Sequence, residues 1–403
     1  MSKLVTKKYL LPFVLITSLF FMWGFARAIL DVLNKHFQEE LSISITQSAL
    51  IQGTTYLGYF LMALPAGIVI TRYGYRRGVV MGLLLFGLGS LLFIPGQNMM
   101  SFAVFLVALF VIGCGLAVLE TAANPYAAEL GDKATAASRL NLAQSFNGLG
   151  CILAPVIVGG FLFSDGESNV AIPYTIMGVV VLLVALVFTR VQLPEINAGH
   201  DIAPASAARP LGTVATVRKL WSNAGFRLGV LALFCYEVAE ISINSLFINY
   251  ATADGWMTRE TAAAVLSFGA LGLFMVARVA GSWVMSRVAA QKVLLVCAIM
   301  TVIGALLVTL EAGALSRAGV FICYAFEAIM FPTIFAITIS QAGDSVKIAS
   351  SFLMMTPIGG AVGTLLMGLV ADHSSMSTAF LVPAAGYALV LLYAVRALKT
   401  LKK

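Results

Sequence analysis

Charge is what this sequence has least of. Lys, Arg, Asp and Glu make up 11% of its 403 residues, against about a quarter in soluble domains. With 60% hydrophobic residues and a mean hydropathy of +0.96, that scarcity excludes an ordinary soluble domain and implies a polytopic membrane protein. Histidine is scarcer still. His36, His200 and His373 lie far apart, in or beside polar stretches, and no Cys/His spacing suits a metal. No cofactor, metal site or nucleophile–base pair is expected, and the chain does not read as an enzyme. The five cysteines all fall inside apolar runs, which excludes a disulfide framework and leaves them as small buried hydrophobes. A concentrated basic patch is also missing: the net charge of +7 is scattered in small clusters between apolar runs, so nucleic acid is not an expected partner.

What is present is a succession of apolar runs near 10–34, 46–71, 77–97, 100–128, 139–164, 171–192, 225–252, 261–286, 291–312, 318–341, 347–371 and 377–397. Each suits a helix of about 20 residues crossing a bilayer. The first follows Lys3, Lys7 and Lys8 as a signal peptide would, but it is too long and no small-residue cleavage site closes it, so it reads as a retained helix. The longest polar segment, 193–224, carries Pro194, Pro204 and Pro210 and reads as a linker between two six-helix bundles, 1–192 and 225–403. It is too short for a sensor's output domain. Basic residues gather in alternate loops, from Arg72, Arg76 and Arg77 to Arg287 and Lys292, while the opposite loops hold Lys35, Arg259 and Arg317. The positive-inside rule then places both termini and the linker in the cytoplasm.

The two halves echo each other. Gly67, Arg72, Gly74, Arg76 and Arg77 follow the second run, and Gly281 and Arg287 follow the eighth. Glycine permits close helix packing, and arginine suits the negative end of a helix dipole. The first of these patterns resembles the cytoplasmic loop motif of the major facilitator superfamily, with Thr71 where an Asp is typical. That resemblance implies an all-α membrane fold of twelve helices in two pseudo-symmetric six-helix bundles.

Few ionisable residues sit at membrane depth: Arg27, Asp31, Glu120, Glu237, Glu240, Arg278 and Glu327. Such groups cost at least a few kcal/mol in lipid and ordinarily face a cavity. Trp23, Arg27 and Asp31 share one helical stripe, Glu237, Glu240 and Asn244 a second, and Gln144, Asn147 and Cys151 a third. Together the three stripes suit a polar pathway. Two of them, and Arg278, have a plainer reading, while Glu120, Glu237 and Glu240 have no obvious basic partner on their own helix. Arg27 and Asp31, at i and i+4, could neutralise each other. Gln144 and Asn147 could be interhelical hydrogen-bond glue, and Arg278 a packing or snorkelling residue. Five acids against two arginines leave a negative excess, and burial with like-charge repulsion favours the protonated carboxyl that proton coupling requires.

The strings Phe20–Ala26, Leu50–Gly53, Leu119–Pro125, Arg139–Asn147 and Phe331–Phe335 resemble those of the L-fucose:proton symporter family, which includes glucose/galactose permeases. The similarity runs over nearly the whole chain in the same order. It implies proton-coupling roles for Asp31 and Glu120, with Glu120 also recognising sugar, and sugar-bonding roles for Gln144 and Asn147. The chain departs from the fucose permease at Arg27 and Leu30, where that protein has Asn, at Glu240 in place of Gln, and at Phe331 in place of Tyr. These departures bear on which sugar is carried.

The expected function is import of a neutral monosaccharide with a proton by alternating access, the sugar being fucose or a related hexose such as fructose, glucose or galactose. The expected substrate-binding set is Arg27, Gln52, Glu120, Asn124, Gln144, Asn147, Glu237, Glu240, Asn244 and Glu327. Trp23, Tyr56, Tyr236, Phe146 and Phe331 offer stacking surfaces for an apolar sugar face. Sodium coupling and drug/proton antiport are the alternatives on the same fold. The expected setting is the bilayer of a bacterial inner membrane, and the expected state a monomer.

Overall fold

Lipid offers a backbone no hydrogen-bond partners, so long apolar runs fold as helices. A computed structural model of the protein describes residues 9–130, 136–162, 170–191, 213–253, 255–285, 287–339, 341, 349 and 352–401. Among them, ten helices are long and apolar enough to cross a membrane: α1 (Leu10–Glu40), α3 (Tyr73–Asn98), α4 (Phe102–Glu129), α5 (Ala136–Leu162), α6 (Ala171–Arg190), α7 (Ala224–Ala253), α8 (Arg259–Met285), α9 (Ala290–Thr309), α10 (Ala314–Ile339) and α12 (Thr378–Lys399). The limb α2 (residues 50–72) and the shorter α11 (Ile358–His373) bring the number to twelve. Each of the twelve apolar runs of the sequence thus overlaps a helix among the described residues, the eleventh run from Ile358 onward. Most of the linker, residues 193–212, lies outside the described residues, as do Lys133 and Lys347, two further basic residues of the same alternate loops; of the side chains of Arg72, Asn124 and Arg139 nothing is described.

One continuous helix, Leu50–Leu91, carries both α2 and the start of α3, and it breaks at Gly74 (φ 84°, ψ 166°). That backbone region is open only to glycine. Gly74 is therefore required in the arginine-rich turn by its backbone, and the chain reverses there without a separate loop.

Helices α1 to α6 pack mainly among themselves, α1 on α5 and α2 and α3 on α4, with α6 beside the α2–α3 pair. In the second group α9 packs on α10 and α12, while α7 packs on α11 and α12. The groups meet where α1 lies along α7, α2 along α11 and α5 along α8. The tightest approaches rest on glycine: a Cβ at Gly150 of α5 would stand 2.8 Å from the Phe25 nitrogen of α1. Small residues let membrane helices exchange close van der Waals contact where no hydrophobic force pulls them together.

α10 is interrupted between Glu327 and Met330. Pro332 explains the position. A helical proline clashes with the carbonyl of residue i−4, here Ala328, and offers no N–H to it. Arg278 of α8 takes up the freed oxygen, its Nε donating to the Ala328 carbonyl at 3.0 Å. α8 carries its own irregularity, a π-helical stretch from Val265 to Leu271.

Candidate functional site

Five of the seven intramembrane charges, Arg27, Asp31, Glu120, Glu237 and Glu240, converge where α1, α2 and α4 of the first group face α7 of the second. Arg27 lies at the centre. Its Nε donates to the Tyr56 hydroxyl at 3.1 Å and a terminal nitrogen donates to Glu240 Oε2 at 3.2 Å, with Glu237 Oε2 at 3.6 Å. The guanidinium thus bridges the two helix groups. Asn244, one turn beyond Glu240, donates to its second oxygen at 3.0 Å. Glu237, Glu240 and Asn244 are all buried, on the single stripe that the spacing predicts.

The spacing also allowed Arg27 to pair with Asp31, one turn away. The structure corrects that reading: Arg27 makes its ion pairs with Glu240 and Glu237. Asp31 instead accepts from the Gln52 amide at 3.3 Å. Glu120 accepts from the Tyr59 hydroxyl at 2.9 Å. Among the described residues, then, the acids of α1 and α4 are bonded by neutral donors while those of α7 share the arginine.

The remaining predicted residues divide. Asn147 donates to the Phe20 carbonyl of α1 at 3.3 Å and Cys151 donates to that of Gly24 at 3.3 Å, so this part of the α5 stripe bonds to the α1 backbone. Gln144, on the same stripe, is half-buried. Glu327 stands apart, fully enclosed within the second group, where it accepts from the Tyr387 hydroxyl of α12. Of the arginine-rich turn, Arg76 donates to the Thr189 carbonyl at the end of α6, 2.6 Å away, and Arg77 lies over the Tyr73 ring. Arg76 thereby caps the free carbonyls of a helix C-terminus. Gly67 leaves open space beside it. Among the described residues no cluster of three or more His, Cys, Asp and Glu could hold a metal ion.

Arg278 is a packing residue, since its bond to Ala328 satisfies the break in α10 and its guanidinium stacks 4.6 Å from the Phe274 ring. Arg278→Met should therefore cost about 1–3 kcal/mol, the usual penalty for a buried acceptor left unbonded. Thermal melting in detergent measures it, and an unchanged melting temperature would remove this role.

Sequence reasoning missed Tyr59, Asn34, Gln38 and Ser245. Periodicity held a signal for three of them. Gln52, Tyr56 and Tyr59 fall at i, i+4 and i+7 on α2, and Arg27, Asp31, Asn34 and Gln38 at i, i+4, i+7 and i+11 on α1. Both stripes are polar or aromatic throughout. Asn34 donates to the Ser245 carbonyl and hydroxyl, and Asn249 donates to Gln38 at 2.5 Å. Each pair is 211 residues apart, so α1 and α7 run parallel in a fixed register.

The Major Facilitator Superfamily profile matches residues 16–353. The chain is 35% identical to the L-fucose-proton symporter of Escherichia coli K12, over 96% of this chain and 93% of that protein. It is 33% identical to a glucose/galactose transporter of Brucella abortus, over 96% and 94%. A crystal structure of the E. coli fucose:proton symporter superposes with a TM-score of 0.74, covering 96% of this chain and 99% of that one. A bacterial homologue of the human lysosomal transporter Spinster, 15% identical, superposes at 0.76 over 98% of both chains, a likeness of fold alone.

Proposed function

Because the chain belongs to the major facilitator superfamily, in the family of L-fucose–proton symporters and glucose/galactose transporters, we propose that it carries a neutral hexose together with a proton. The observation that carries the reading is the bonding of Asp31 and Glu120 by neutral donors, Gln52 and Tyr59. A carboxylate paired to a guanidinium is held ionised. One bonded by an amide or a phenol keeps a partner in both charge states and is free to take up and release a proton.

Sugar recognition falls to the polar groups between the helix groups: Arg27, Glu240, Asn244 and Gln144, with Tyr56 and Trp23 as apolar faces. Sugars present many hydroxyls around a carbon ring, and acids, amides and aromatic rings match that chemistry. The two bundles, 1–192 and 225–403, rock about this site in alternating access. The basic loops and both termini face the cytoplasm of a bacterial inner membrane, and the transporter acts as a monomer.

Purified protein in proteoliposomes tests the reading. With an imposed pH gradient in sodium-free buffer, one or more of fucose, fructose, glucose and galactose should accumulate, with alkalinisation of the side from which the sugar is taken. Uptake that requires sodium, or no uptake of any monosaccharide, would overturn it.

A further inference from the structure

The amide of Gln52 joins the two helix groups at one point. Its nitrogen stands 3.3 Å from Asp31 Oδ1 on α1 and 3.2 Å from Ser245 Oγ on α7. One NH2 group therefore spends a hydrogen on the acid of its own group and the other on the facing group. All three side chains are buried, Gln52 at 1% exposure and Ser245 at 0%. The amide oxygen of Gln52 is enclosed with no hydrogen-bond partner among the described residues. The amide is thus held from its nitrogen side alone.

One turn along α1 from the Arg27–Glu240 pair, this contact is the first rung of a ladder. Asn34 bonds Ser245 one turn further along α1, then Gln38 bonds Asn249 and Ser48. Beyond them Glu39 pairs with Arg259 of α8, and Asp372 at the end of α11 accepts from the backbone of Ile45 and Thr46 at 3.2 and 2.9 Å. Every rung lies toward the end of the bundle remote from Leu10 and Leu401. In this structure that end is sealed, and the seal reaches inward to Asp31.

We propose that Gln52 is a positioning residue that ties the charge of Asp31 to the sealing of this end, rather than a sugar ligand. The proposal rests on the reading that Asp31 exchanges a proton. An ionised carboxylate demands a donor, and a charge-assisted bond is roughly twice as strong as a neutral one. Ionised Asp31 therefore holds the Gln52 nitrogen in place, where its second hydrogen meets Ser245. Protonation removes the charge and with it the reason for that orientation, which weakens the first rung. Coupling through this bond is reciprocal: the bond favours ionised Asp31 while the end is sealed, against the burial that by itself favours the protonated acid, and it is lost when the end opens.

Other groups act on Asp31 through space: Arg27 on its own helix, Tyr56 on α2, Cys151 on α5, Glu240 on α7 and Tyr324 on α10. Arg27 is committed to Glu240 and Glu237, which leaves Gln52 as the bonded partner that also touches the other group.

Spin labels on cysteines introduced at Ser42 and Glu260, both exposed beyond the seam, read its opening by pulsed electron resonance. The full-length parent has its five native cysteines replaced, and no sugar is added. In the parent, the ratio of open to sealed molecules should change about tenfold or more as pH crosses the titration of the site, within the usual range of coupling. In Gln52→Leu and in Ser245→Ala the change should shrink to under about threefold, Ser245→Thr should restore it, and Asp31→Asn should abolish it.

A full pH response in Gln52→Leu or Ser245→Ala would overturn the proposal, as would one that survives in Asp31→Asn. A sugar-binding role for Gln52 would show instead as weakened sugar affinity with the pH response intact. The labels need no sugar, so a parent that responds to pH yet carries no monosaccharide would sink the proposed function and leave this coupling standing.

Discussion

Replacing Glu120 by Gln should bring sugar accumulation down to about the level of the outside concentration while labelled sugar still exchanges across the membrane. One proton moved down about 100 mV supplies about 2.3 kcal/mol, enough for roughly 50-fold accumulation at 1.36 kcal/mol per tenfold. Glu120 is bonded by the Tyr59 hydroxyl and makes no ion pair among the described residues. Gln retains its shape and an acceptor for Tyr59 but carries no dissociable proton, so the driving force is lost and the bonding is kept. Exchange survives because it does not require the empty carrier to return without its proton. Accumulation ratios and counterflow, measured on the same vesicles, separate the two. Undiminished uphill uptake by the variant would remove Glu120 from the coupling machinery.

The second large effect is expected at Arg27. Arg27→Met would leave Glu237 and Glu240 facing each other on α7 with their shared cation gone. Removing one partner of a buried pair costs about 3–5 kcal/mol. The Arg27 side chain keeps 36% exposure while those of Glu237 and Glu240 have 2% and 11%, so solvent offsets part of this and about 1–3 kcal/mol is expected. Adding Glu240→Gln should recover part of the loss, a coupling of about 1–2 kcal/mol in a double-mutant cycle. Arg27→Lys should recover less, because an ammonium does not reproduce the planar fork that reaches Tyr56 and Glu240 together. Melting temperatures of the single and double variants in detergent decide this. Strictly additive effects would mean that the ion pair contributes nothing to stability.

Much of the fold was legible in the sequence. Each of the twelve apolar runs carries a helix among the described residues, because lipid leaves an apolar chain no alternative to internal hydrogen bonding. The inward stripes were legible for the same kind of reason: Glu237, Glu240 and Asn244 recur at helical spacing, and burial follows from that spacing. The break in α10 was implicit in Pro332, and the turn between α2 and α3 in Gly74. These are local properties, decided within a few residues of the side chain concerned.

Pairing between stripes was not local. Helical spacing offered Arg27 a partner on its own helix, Asp31, and the tertiary structure gave it two others, Glu240 and Glu237, on a helix more than two hundred residues later in the chain. The parallel register of α1 along α7, set by Asn34 on Ser245 and Gln38 on Asn249, brings those acids within reach. Periodicity states which way a side chain faces but not which helix stands opposite it. An intramembrane charge takes its partner from whichever helix comes near, so the sequence alone determined that five acids and two arginines share the interior. Only the packed bundle decided that Arg27 belongs to α7 and Arg278 to the break in α10, leaving Asp31 and Glu120 to neutral donors that tolerate a proton coming and going.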